Sequence, residues 1–194
     1  MFHNVVRNES TLAVRMVDAI KEFPMGTFSY KDDIFISPIY FDHKPISFLD
    51  GAAVNEGCGM GLILKLDYNH HFEACLATGK GSNIHVELVG LWGFLTLESH
   101  WQIRQLMVTM DSKVVLDWFE GRSRLQVLSL HFLKNKVLEL KQKFSSIRAF
   151  HIHRIFNKKG NYLSKVVIKG DIGWLKFEEY RHNSMVSNGS FYVF

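Results

Sequence analysis

Three apolar runs crowd into residues 46–77, and their spacing constrains the fold more than any other feature of the chain. They read ISFLD at 46–50, GCGMGLILKL at 57–66 and FEACLA at 72–77, parted only by short polar breaks at 55–56 and 67–71. Strands joined by so few residues pair antiparallel, because a parallel crossover needs a dozen residues or more. This part therefore reads as an antiparallel meander. The period then changes. Leu88, Leu91, Trp92 and Leu95 recur at i, i+3, i+4 and i+7, one face of a helix over 84–100. Gly90 and Gly93 interrupt that helix, where each costs ~1 kcal/mol against alanine. They point to close packing on a sheet. A strand over 105–110 follows, then a short helix over 112–119 and a Gly/Arg/Ser break at 121–124. A long basic amphipathic helix over 127–144, a strand over 147–152 and a last helix over 158–168 complete the pattern. The order β-β-β-α-β-α-α-β-α predicts an α/β layered domain with a mixed sheet.

Composition narrows the function classes. The 194 residues are 47% hydrophobic and 22% charged, which suits one compact domain with extensions rather than a disordered chain. The boundaries expected are 1–43 for an N-terminal extension, 44–169 for the domain and 170–194 for a tail ending in a small strand at GSFYVF. Within the extension, Ser10 could cap a short helix reaching Ile20. The apolar helical stretch from Leu88 to Leu97 is too short to span a bilayer, which takes ~20 residues. The N-terminus lacks a charged-then-apolar leader, and Cys58 and Cys75 are too few for a disulfide framework. An intracellular protein, nuclear or cytoplasmic and not secreted, is expected, with no membrane partner. Charge is strongly asymmetric. Residues 121–170 hold twelve Lys/Arg and one acid, Glu139, a net +11, while the rest of the chain carries −7. A basic surface facing a polyanion is one reading. A solvated basic helix face is the other.

Three acids stand where elements meet. Asp50 closes the first strand, Glu87 falls in the first turn of the first long helix, and Asp111 closes the fourth strand. Each has an ordinary explanation: a hairpin turn at Asp50-Gly51, a favourable helix N-terminus for Glu87 and an N-cap for Asp111. If strands one and four are neighbours, however, all three arrive at one end of the sheet. Clustered carboxylates repel, so a cation must compensate them. Hard divalent ions such as Mg²⁺ prefer such oxygen ligands. Two of them ~3.5–4 Å apart can assist phosphodiester hydrolysis.

Four segments in order carry a family likeness. LDGAA at 49–53, GSNIHVEL at 81–88, MDSKVV at 110–115 and HIHRIFNKKGNYLSK at 151–165 resemble the motifs of type 1 ribonuclease H, in the form found in plant retroelement polyproteins and their genomic relatives. The resemblance spans roughly residues 44–169 and implies a three-layer ribonuclease H-like fold, a five-stranded mixed sheet flanked by helices. It implies a monomeric endonuclease that cuts the RNA strand of an RNA–DNA hybrid, or a similar RNA-like duplex, at a two-ion Mg²⁺ or Mn²⁺ site. On this likeness Asp50, Glu87 and Asp111 are catalytic metal ligands. His151, six residues before Asn157, is the loop histidine that moves protons or assists product release. Gly51 and Ala52 leave room for a sugar–phosphate backbone. Ser82, Asn83, Ser112, Arg154, Asn157 and Lys158 contact nucleic acid.

The chain departs from that pattern at its fourth acid. Asn161 stands where the family has Asp, and Gly160 precedes it in place of Ala. Asn161 can offer a carbonyl oxygen to a metal or its water, but no charge. The stretch after Asp50 also lacks the family's Gly/Pro richness, and Glu56 puts an acid beside a polyanion path. His151 and His153 could pair on a metal, but no third soft ligand is near in sequence. A nucleic-acid-binding module without turnover, or a retroelement remnant, is the alternative expectation.

Overall fold

The computed structural model describes residues 45–124 and 126–194. The N-terminal extension and its expected helix at 10–20 lie outside the described residues. The elements are β1 (Ile46–Val54), β2 (Gly57–Lys65), β3 (His70–Gly79), α1 (Asn83–His100), β4 (Gln105–Met110), α2 (Lys113–Phe119), α3 (His131–Lys141), β5 (Ser146–His151), α4 (Lys158–Val166), β6 (Trp174–Arg181) and β7 (Ser184–Tyr192). They build one sheet in the order β5-β4-β1-β2-β3-β6-β7. β1 pairs parallel to β4, and β4 parallel to β5, while every other pairing is antiparallel. Among the described residues, no helix is long and apolar enough to cross a membrane.

The sheet has seven strands, where five were expected in the domain and a small sixth in the tail at 189–194. β7 overlaps that expected strand and starts earlier, at Ser184, while β6 was not expected. β6 carries Leu175, fully buried, between exposed Trp174 and Lys176, so a half-buried strand is legible in its alternation. His182 and Asn183 join it to β7 with φ of 51° and 61°. Positive φ at both central residues is what a two-residue type I′ turn requires, and its twist suits a hairpin.

Two further boundaries differ from the sequence reading. β1 does not stop at Asp50. It continues to Val54, Asp50 pairs with Gly61 across β2, and the turn falls at Asn55-Glu56. Asp50-Gly51 is therefore mid-strand, not a hairpin turn. The long basic helix is shorter than expected. It opens with a 3-10 turn at Leu128–Leu130, runs as α3 and closes by tightening, with the Lys143 N–H on the Leu140 carbonyl.

Alternation along β2 decides what covers each face. Met60, Leu62 and Leu64 are buried in the main core with Leu49, Leu76, Leu88, Leu91, Phe94 and Leu95. That core lies under α1. A Cβ on Gly90 would reach within 2.5 Å of Met60 Cγ, and one on Gly93 within 2.9 Å of Leu76 Cδ2. Both glycines therefore let α1 settle close on the sheet, as their positions suggested. The opposite face of β2 presents Gly59 and Gly61. A Cβ on Gly61 would run into the Gly160 carbonyl and lie 2.6 Å from the Ser164 amide nitrogen. One on Gly59 would run into the Ser164 carbonyl. GCGMG is thus a groove for α4: bulk on one side of the strand, bare backbone on the other.

One acid is buried in the last turn of α1. Glu98 on α1 is fully buried, and neither carboxyl oxygen has a hydrogen-bond partner among the described residues.

Candidate active site

The strand register alone brings three of the expected residues together. Leu49 on β1 lies opposite Met110, the last residue of β4, and Met110 lies opposite His151, the last of β5. The next residues along the first two strands are Asp50 and Asp111. Beyond this row β1 continues while β4 has ended, so one side of Asp50 and its successors opens onto a notch. Ligand sites in open α/β sheets lie at such carboxyl ends of parallel strands.

Helix α1 brings the third acid. Ser82 caps it, its hydroxyl accepting from the His85 N–H at 3.2 Å. With the helix starting at Asn83, Glu87 falls in its second turn, not its first, and is buried. Its carboxylate accepts a hydrogen bond from the Gly51 amide. A Cβ on Gly51 would stand 2.9 Å from Val86 Cγ1 and 3.2 Å from the Glu87 carboxyl carbon. Gly51 is therefore small to admit α1 and Glu87. Ala52 is likewise buried.

The carboxylates feel one another. Burial pushes the Asp50 carboxyl up to about 6, with the charge of Asp111 adding to the rise; Ser164, Arg154 and Lys165 work against it. Glu87 is pushed up to about 8, again by burial first and then by Asp111 and Asp50, while the Gly51 amide and Arg154 oppose. An unusually high carboxyl pKa beside like charges is the condition that a bound cation relieves.

Helix α4 supplies the other wall. Ser164 Oγ donates to Asp50 Oδ2 at 2.8 Å and also lies 3.0 Å from the Asn161 carbonyl. The sequence reading missed Ser164. Its signal was the spacing from Gly160, one turn earlier on the sheet-facing side of α4. Asn157 is buried, and its Nδ2 donates to the Leu49 carbonyl. It ties the loop before α4 to the strand residue preceding Asp50, so it faces the protein rather than solvent. Gly160 is required there, since a Cβ would come within 2.5 Å of Asn157 Oδ1. Asn161, the expected fourth ligand, accepts from Arg154 Nη2 at 2.8 Å. His151 is exposed, and its Nε2 donates to the Asp111 carbonyl at 3.1 Å. His153 does not join it on a metal; its Nδ1 accepts from the Ile155 N–H at 3.4 Å, closing a local turn.

Of the remaining expected contacts, Ser82, Asn83, Arg154 and Lys158 are exposed, and Ser112 is half-buried without a side-chain cap bond. Among the described residues, no three acidic, histidine or cysteine side chains converge tightly enough to enclose an ion as they stand. Asp50 is turned to Ser164 and Glu87 to Gly51. The donor set nonetheless fits one hard divalent cation: it is all oxygen, carries three carboxylates and includes two that are raised by burial first and by neighbouring carboxylates second. Asn161 fits a second cation poorly, being neutral and already engaged.

Residues 50–167, well over half of the chain, match the profile of the reverse transcriptase-like family. The chain belongs to that family. Its domain is ribonuclease H-like, and solved structures share the fold. Ribonuclease H1 from Halobacterium salinarum NRC-1 superposes with a TM-score of 0.59 at 17% identity, covering 66% of this chain and 99% of that one. LC11 ribonuclease H1, solved with an RNA/DNA hybrid, gives 0.57 at 20% identity over 64% of this chain and 96% of its own. The N-terminal ribonuclease H domain of a Mycobacterium tuberculosis protein, solved as a fusion with maltose-binding protein, gives 0.56 at 22% identity, covering 63% and 97%. A search of curated proteins found no match. The hairpin β6–β7 lies outside the ribonuclease H-like match, which ends at residue 167.

Proposed function

We propose that this protein is a metal-dependent endonuclease that hydrolyses the RNA strand of RNA–DNA hybrids. The observation that carries the reading is the meeting of Asp50, Glu87 and Asp111 at the notch where β1 outruns β4, with two of the three carboxyls raised well above their ordinary range. Asp50, Glu87 and Asp111 would hold a Mg²⁺ or Mn²⁺ ion, which when bound supplies Lewis acidity toward the phosphate. His151 donates from Nε2 to the Asp111 carbonyl, which leaves Nδ1 in the acceptor tautomer to take up a proton at the rim. Arg154 and Lys158, exposed beside the notch, would hold backbone phosphates, and the wider basic segment would add salt-sensitive attraction. An A-form-like hybrid with 2′-hydroxyls on one strand is the substrate shape such a surface distinguishes.

The test is cleavage of labelled hybrid in Mg²⁺ or Mn²⁺, beside Asp111→Asn. Cleavage by the parent protein and none by the variant supports the enzyme. A second reading is a binding module that has lost turnover, and the neutral, engaged Asn161 favours it. Salt-sensitive hybrid binding without cleavage by either protein would decide for that module.

A further inference from the structure

Helix α4 walls the notch while burying little apolar surface of its own. Of its nine residues only Gly160 and Ser164 are buried, against the bare backbone of Gly59 and Gly61 on β2. Polar ties seat it instead. Asn157 Nδ2 donates to the Leu49 carbonyl at its start, and Lys159 Nζ meets Glu73 Oε1 of β3 at 2.9 Å. The third tie, from Ser164 Oγ to Asp50 Oδ2 at 2.8 Å, reaches a carboxylate of the cluster. Both residues are buried, so water does not compete for that bond. The hydroxyl has one proton and two acceptors within reach, Asp50 Oδ2 and the Asn161 carbonyl at 3.0 Å. A carboxylate is the stronger acceptor, so the proton goes to Asp50. Among the described residues no hydrogen bond reaches the other oxygen, Asp50 Oδ1. The two oxygens of one carboxylate are thus made unlike: one held by the helix, one left open.

We propose that Ser164 is a positioning residue for Asp50: its hydroxyl holds Oδ2 and reserves Oδ1 as the single oxygen that Asp50 offers to a divalent ion. This inference rests on the metal-dependent reading above and adds to it a residue that no carboxylate count would include. A ligating carboxylate is oriented by the hydrogen bonds it accepts, and the loss of such a partner weakens metal binding. One-oxygen ligation also suits a small ion such as Mg²⁺, which demands a regular octahedral shell. A hydroxyl that merely competed with the ion for Asp50 would act with the opposite sign, so the direction of the effect separates the two roles.

The experiment is calorimetric titration of Mn²⁺ into the nucleic-acid-free protein, for the parent, Ser164→Ala, Ser164→Cys and Glu73→Gln. Ser164→Ala removes one oxygen and is expected to weaken Mn²⁺ binding by roughly 10–100-fold. Ser164→Cys, which keeps a weaker donor, should fall between alanine and the parent. Glu73→Gln removes the charge at the Lys159 tie and leaves Ser164 in place, so it should bind Mn²⁺ as the parent does. Equal or tighter Mn²⁺ binding by folded Ser164→Ala, against a measurable parent affinity, overturns the inference and leaves the proposed function standing. A loss in Glu73→Gln as large as that in Ser164→Ala also overturns it, because the effect then belongs to the seating of the helix and not to the hydroxyl. Should Ser164→Ala not fold, Ser164→Cys decides alone: weaker binding supports the role and unchanged affinity overturns it. No Mn²⁺ binding by the parent protein overturns the metal-dependent reading, and the inference with it.

Discussion

Replacing Glu98 by leucine should stabilise the protein at neutral pH and leave it less changed in acid. The side chain is fully buried on α1 and neither oxygen has a partner among the described residues. Burial pushes its carboxyl well above the ordinary value of 4.5. The folded state therefore keeps a proton that the unfolded chain releases above that value. Because the folded form binds the extra proton, its stability is complete below pH 4.5 and falls as pH rises toward the folded pKa. The slope is about 1.4 kcal/mol per pH unit for one group. Between pH 4.5 and the raised folded pKa, Glu98 thus withdraws stability with every step toward neutral pH, from the ~5–15 kcal/mol that holds a domain together. Asp50 and Glu87 titrate with the same sign, at about 6 and about 8, but they are common to both proteins. Subtracting urea-denaturation curves of parent and Glu98→Leu at pH 4.5, 5.5 and 6.5 isolates the Glu98 contribution. Glu98→Gln serves as the isosteric control. Parallel pH profiles, or a gap that narrows toward neutral pH, would show that the carboxylate is paired and that the reasoning is wrong.

Three other outcomes are expected. Asn161→Asp should raise hybrid cleavage at low Mg²⁺, and unchanged rates across a Mg²⁺ series would remove any role for that position. Mn²⁺ affinity should climb between pH 6 and pH 8, because a cation must displace protons held by Asp50 near 6 and Glu87 near 8; a flat calorimetric profile would place those carboxyls outside the ion site. Gly61→Ala should cost roughly 1–3 kcal/mol in thermal or urea unfolding, since α4 must back away from β2, and cleavage should drop with it because Ser164 and Asn161 ride on that helix.

Much of the framework was legible because local chemistry and global fold agree. The meander at 46–77, the period of α1 and the strand at 105–110 all announce themselves, and α1 sits on the sheet through the two glycines that interrupt its pattern. The carboxylates were legible as candidates, but their meeting depends on the Leu49–Met110 register, which no single segment encodes. Asp50-Gly51 misled because its dipeptide chemistry matches a hairpin turn. The strand continues there since Gly51 is needed bare for Val86 and Glu87, a requirement set by a helix more than thirty residues away. The end of β7 was expected at GSFYVF, but β6 and its pairing as a hairpin were missed because the turn uses His182-Asn183, where the usual signal is a glycine. Ser164 and Glu98 look like unremarked polar residues until packing shows one donating to Asp50 and the other buried without a hydrogen-bond partner among the described residues.

The hairpin also separates two kinds of boundary. Resemblance to the family stops at residue 167, yet the hydrogen-bonded ladder does not. β3 pairs with β6 from His70 to Leu76, Leu175 completes the core beneath it, and the Phe177 ring meets Trp101 at 5.3 Å and Phe72 at 6.4 Å. A protein trimmed to the matching segment would bare a row of β3 amides and carbonyls, leaving an open strand ready to recruit any neighbouring chain. The segment that matches the family and the segment that the sheet's ladder joins are, in this protein, of different lengths.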